Sequence, residues 1–137
     1  MVNFILRPDN SGLILASLRR VLPQFFDAPE YVRLKNLGRD LAEIPGLVCA
    51  AFARYLCRLL EMEPAEPTLA NACFNLIEEW SSHSDPNVQN YVITEIFENV
   101  RLPKLGEAYF KQRLGENSRK LFEEWMEYPP EDRMTHE

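Results

Sequence analysis

Residues 45–63, PGLVCAAFARYLCRLLEME, confine their helical polar side chains to one narrow stripe. At about 100° per residue, Arg54, Arg58 and Glu61 span about 60° of the wheel, and everything else up to Met62 is apolar. A helix with so little polar surface is stable in water only if other helices cover most of its sides. That requirement places it at the centre of an α-helical protein. The rest of the chain supplies the covering helices. Gly is scarce at 5 residues and Pro is common at 10, and the prolines fall between apolar-periodic segments. Proline ends a helix or occupies its first position, so these residues divide the chain into helical units. There is no Asn-Gly or Asp-Gly hairpin turn and little strict alternation, so strands are not expected.

In chain order, DNSGLILASLRRVL offers Asp9, Asn10 or Ser11 as a cap, and Pro23 follows as a stop. APEYVRLKNLG predicts a short helix from Pro29 towards Gly38, and RDLAEIP one helical turn. PTLANACFNLIEEWSS is amphipathic, with Leu69, Ala72, Cys73, Leu76, Ile77 and Trp80 inward and Thr68, Asn71, Asn75, Glu78 and Glu79 outward. SSHSDPNVQNYVITEIFENV predicts an Asp85 or Ser84 cap, Pro86 in the first turn, and a broad apolar face from Val88 to Val100. Glu95 falls inside that face, so a partner is required; Arg54 and Arg58 are the candidates. EAYFKQRLG predicts a helix ending at Gly115. ENSRKLFEEWMEY predicts a last one with Leu121, Phe122, Trp125, Met126 and Tyr128 inward. The expected fold is all-α: one compact domain over residues 1–128, a helical bundle or short repeat-like array of about six to seven helices, with 129–137 as a flexible tail. No fixed period supports a long regular solenoid.

Signals for chemistry are missing from the sequence. Cys49, Cys57 and Cys73 are odd in number and sit in apolar helical patterns. Cys49 and Cys57, eight apart, would lie about 12 Å apart along a helix, whereas a disulfide needs Cα atoms within about 7 Å. Reduced thiols in a cytoplasmic protein are expected. No run is long and apolar enough for a membrane span, and the N-terminal MVNFILRPDN lacks the features of a secretory leader. His83 and His136 have no metal-ligand partner at His-x3-His or Cys-x2-Cys spacing, and no nucleophile elbow, dinucleotide fingerprint or phosphate loop occurs. No catalytic residue, metal or cofactor is therefore expected. An enzyme would need a site assembled from distant residues.

Charge is the informative feature. Residues 59–100 contain no Lys or Arg and eight acids, for a charge of −8; residues 1–58 carry +3 and 101–137 carry −1, giving −6 in all. An acidic face of Glu61, Glu63, Glu66, Glu78, Glu79 and Glu98, with Asn75 beside it, would repel nucleic acid and anionic membrane and favour a basic protein partner. The competing expectation is that basic residues from elsewhere in the chain cover these acids.

DPNVQNYVITEIFENV, followed by EAYFKQRLGENSRKLFEEW, resembles a small all-helical bacterial family similar to immunity proteins encoded beside secreted toxins. The shared pattern, over residues 67–128, is a polar-capped helix, a helix closing on LG, and a final amphipathic helix. The resemblance implies a non-enzymatic cytoplasmic protein that binds one cognate toxin domain and blocks it, and it supplies no catalytic residues. With the acidic segment, it points to a basic toxin such as a nuclease. The alternative is a helical adaptor or regulatory subunit of a larger complex; a toxin gene next door favours the first role, a metabolic or signalling operon the second.

Overall fold

The prolines mark the helix starts. In the computed structural model, which describes residues 8–64 and 66–127, α1 spans Pro8–Val21, α2 Pro29–Lys35, α3 Pro45–Glu61, α4 Pro67–Ser81, α5 Pro86–Tyr91, α6 Glu107–Arg113 and α7 Glu116–Met126. Five of the seven begin on proline, where the missing N–H would have had no intrahelical acceptor. Single 3-10 turns fill Pro23–Asp27 and Leu41–Glu43, the latter capped by Asp40, which accepts the Ala42 N–H at 3.1 Å. The fold is all-α, with no strand among the described residues. Tyr128, the 129–137 tail and residues 1–7 lie outside the described residues.

The helix predicted to be central is central. Along α3, Val48, Cys49, Ala51, Phe52, Ala53 and Leu56 have no more than trace exposure, while Arg54 and Arg58 keep to the outer stripe. Around it lie α1 (Ile14, Leu18), α4 (Leu76, Ile77, Trp80) and the α5 region (Val88, Val92, Ile96), all in one hydrophobic cluster. Aromatic edges lock the layers: Phe52 meets Trp80 at 5.3 Å, and Phe97 meets Phe122 at 5.0 Å beneath α7. α2 runs antiparallel to α3, because Glu30 at its start bonds Arg58 near the end of α3 while residues 36–44 join its end to the start of α3.

Three local expectations change. α1 starts at Pro8, so Asp9, Asn10 and Ser11 lie within the helix rather than capping it. Asp85 caps α5 as expected, accepting the Asn87 N–H at 2.9 Å. The helix then widens into a π-helical stretch at Val92–Ile96 and closes in a 3-10 turn at Phe97–Asn99. Arg58 does not pair with Glu95. Its guanidinium clasps Glu30 with bonds of 2.8 and 3.1 Å, and Arg54 makes no ion pair among the described residues. Glu95 instead lies against Gly46 in the first turn of α3, where a Cβ on Gly46 would come within 3.3 Å of its Oε2. A carboxylate there faces the positive end of the α3 dipole.

Candidate functional site

The acidic segment is the site the sequence nominates, and the structure distributes its members. Glu61, at the end of α3, turns its carboxylate to the loop entering α6 and accepts the Lys104 and Leu105 N–H groups at 2.8 and 3.0 Å. Glu78, on the polar face of α4, reaches the start of α7. It accepts the Asn117 and Ser118 N–H groups, each at 2.9 Å, and the Asn117 amide and Ser118 hydroxyl, each at 2.8 Å. Burial alone would raise its pKa, but the Ser118 and Asn117 bonds outweigh burial and hold the carboxyl below its ordinary range. Glu79 forms an ion pair with Arg20 of α1. Glu63 and Asn75 are exposed, and Glu66 is half-buried beside Arg113 and Tyr109. Glu98 is half-buried, and its backbone carbonyl accepts from Arg101. The seven residues therefore do not form one face: Glu78 and Glu79 turn to opposite neighbours, α7 and α1, and Glu61 points to the α6 loop.

Other reactive side chains are also committed to architecture. Cys49 and Cys73 are fully buried and burial pushes both thiols up, with the charge of Glu95 adding to the effect on Cys49. Burial also raises Cys57, against the Arg101 N–H that donates to its Sγ at 3.3 Å. All three are free thiols. His83 builds the turn into α5: its Nδ1 accepts the Asp85 N–H at 3.0 Å and its carbonyl accepts from the Gln89 amide at 2.7 Å. Arg113 lies over the Phe74 ring and bonds Asn71 and Tyr109. Among the described residues, no group of His, Cys, Asp and Glu is placed to hold a metal, and no helix is long and apolar enough to cross a membrane.

A family model for a domain of unknown function, DUF7674, matches residues 17–128, from within α1 to just beyond α7. The chain belongs to that family. No curated protein and no solved structure matches it. The DUF7674 match takes in the end of α1, α2 and α3, so most of the N-terminal half, with its different charge, is part of the same family unit as the acidic segment.

Two surface features of this DUF7674 chain were not visible in its periodicity. The first is a pocket of about 170 Å³ walled by Phe97, Leu102, Phe122 and Trp125, with Arg101 and Glu107 at its edge. Arg101 there donates to the Glu98 and Val100 carbonyls, so its charge is tied to the end of the helix behind it. The second is the end of α2, where Val32 and Leu37 are 39% and 55% exposed among Arg33, Lys35 and Arg39. The run YVRLKNLGR reads as an ordinary short amphipathic helix, and only tertiary packing decides that Leu37 stays outside.

Proposed function

We propose that this protein is a binding protein, and that its role is that of an immunity protein which occupies one cognate toxin domain and blocks it. What supports the reading is the commitment of its reactive groups to architecture: two fully buried, protonated thiols, a histidine that forms a turn, and carboxylates that cap helices. A nucleophile needs an accessible thiolate and a general base needs a free lone pair, and these groups offer neither. The elements named by the immunity-like resemblance are present in order: the Asp85-capped helix, α6 leading to Leu114–Gly115, and amphipathic α7. The expectation of a basic target, such as a nuclease, loses the support of Glu61, Glu78 and Glu79, which are engaged inside the protein.

The test is co-expression with the product of the adjacent upstream gene. The expected result is that the product arrests growth alone, that growth returns when both are made, and that the two co-purify. A product that is harmless alone, or that stays toxic in the presence of this protein, rejects the role. Charge reversals meant to probe an acidic contact belong at Glu63 and Glu66, because reversing Glu78 would undock α7 and confuse unfolding with lost binding.

A further inference from the structure

We propose that the end of α2 is the surface that engages the partner, and that the partner presents an acidic rim around an apolar slot. This rests on the binding role above. Residues 31–39 carry Arg33, Lys35 and Arg39 and no acid. All three cations are exposed and make no hydrogen bond or ion pair among the described residues. Of the nearby carboxylates, Glu30 is clasped by Arg58 and Asp40 caps the next turn, leaving the exposed Asp27 and Glu43. Leu37, the most exposed large apolar side chain among the described residues, follows α2 in the chain between Lys35 and Arg39, and Val32 on α2 is exposed as well.

Its exposure is fixed by the backbone. The Leu37 N–H bonds the Leu34 carbonyl at 3.0 Å, the Gly38 N–H bonds the Lys35 carbonyl at 3.2 Å, and Gly38 adopts φ +76°, which favours glycine. The turn is hydrogen-bonded before any partner arrives, so little ordering entropy is lost on binding. Exposed apolar side chains with arginines beside them in the chain fit a protein–protein contact, where arginine is enriched. A nucleic acid would answer the cations but leave Leu37 and Val32 unused, and the chain's −6 charge opposes it.

The experiment measures the affinity of the purified upstream gene product for wild type, Leu37→Asp, Leu37→Ser, the double reversal Arg33→Glu/Arg39→Glu, and Glu63→Lys/Glu66→Lys. Circular dichroism confirms the folding of each. We expect Leu37→Asp to raise Kd at least about 30-fold, the level that marks a hot spot, with Leu37→Ser moving in the same direction. The Arg33/Arg39 reversal should slow association and abolish its salt dependence, while Glu63→Lys/Glu66→Lys changes Kd less than about threefold. If wild type binds and the Leu37 and arginine variants bind equally well, the surface assignment fails and the immunity role stands. If wild type does not bind, both fail. If wild type binds a short DNA duplex and the arginine reversal abolishes that binding, the surface is a nucleic-acid site and the proposal is overturned.

Discussion

Gly115→Ala tests how α7 is held. At φ −78° and ψ −174°, position 115 has no need of glycine for its backbone. Its constraint is steric: a Cβ there would sit 2.6 Å from Glu78 Oε1 and 2.8 Å from Cδ. A carboxylate at the end of a flexible side chain normally moves aside at little cost. This one is pinned by four donors from Asn117 and Ser118, so moving aside means losing the cap of α7. Losing an N-terminal cap costs about 1 kcal/mol, and hydrogen bonds to a charged acceptor are worth about 1.5–3 kcal/mol. With water replacing part of the loss at this half-exposed site, Gly115→Ala should cost about 2 kcal/mol and Glu78→Ala about 2–3 kcal/mol. In the Glu78→Ala background the added methyl meets no pinned group. Restricting the unfolded chain should then make Gly115→Ala stabilising by about 0.4–1 kcal/mol, so the sign reverses. Urea denaturation of the four-member cycle, followed by the fluorescence of Trp80 and Trp125, measures this. Equal destabilisation by Gly115→Ala in both backgrounds would refute the pinned-carboxylate argument, as would a neutral effect in wild type.

Further outcomes follow from the same contacts. Because the folded pKa of Glu78 lies below its ordinary 4.5, its contribution is fully present above that value and is lost as pH falls through the folded pKa. Glu78→Gln should therefore flatten the fall in stability with acidification below about pH 4.5, as read by denaturation at stepped pH. Arg58→Ala should cost about 2–3 kcal/mol, because it strands Glu30 at 7% exposure; Arg54→Ala, on the same stripe without an ion pair, should stay within about 0.5 kcal/mol. Thiol titration under native conditions should modify only Cys57, slowly, with Cys49 and Cys73 reacting on unfolding; fast labelling of all three would contradict their burial.

The central helix was legible because an apolar arc that wide has one solution, to be covered. The proline-marked starts were legible because proline acts locally. The π-helical stretch was not, because Val88, Val92 and Ile96 recur every four residues, a spacing that helices of 3.6 and 4.4 residues per turn both bury over so short a run. Glu95 lies inside an apolar arc and so needs a partner, but nothing in the sequence shows that the start of α3, 49 residues back, passes it at Gly46. Glu78 reads as solvent-facing because it lies on the polar face of α4. A wheel separates polar from apolar but cannot say whether a polar face meets water or the end of another helix.

That distinction gives the acidic segment a physical reason. A helix start presents backbone N–H groups with no intrahelical acceptor and a partial positive charge. In this fold α6 and α7 lack side-chain caps of their own, since Gly106 and Gly115 stand at their N-cap positions. Glu61 supplies acceptors to the loop entering α6, Glu78 to the start of α7, and Glu95 lies over the first turn of α3. Lysine or arginine at any of these positions would bring only donors to a site already crowded with donors. Part of the acid excess of residues 59–100 thus follows from which helix ends this segment passes. Of the charges not engaged in this way, the exposed Arg33, Lys35 and Arg39 are the ones left to select a partner.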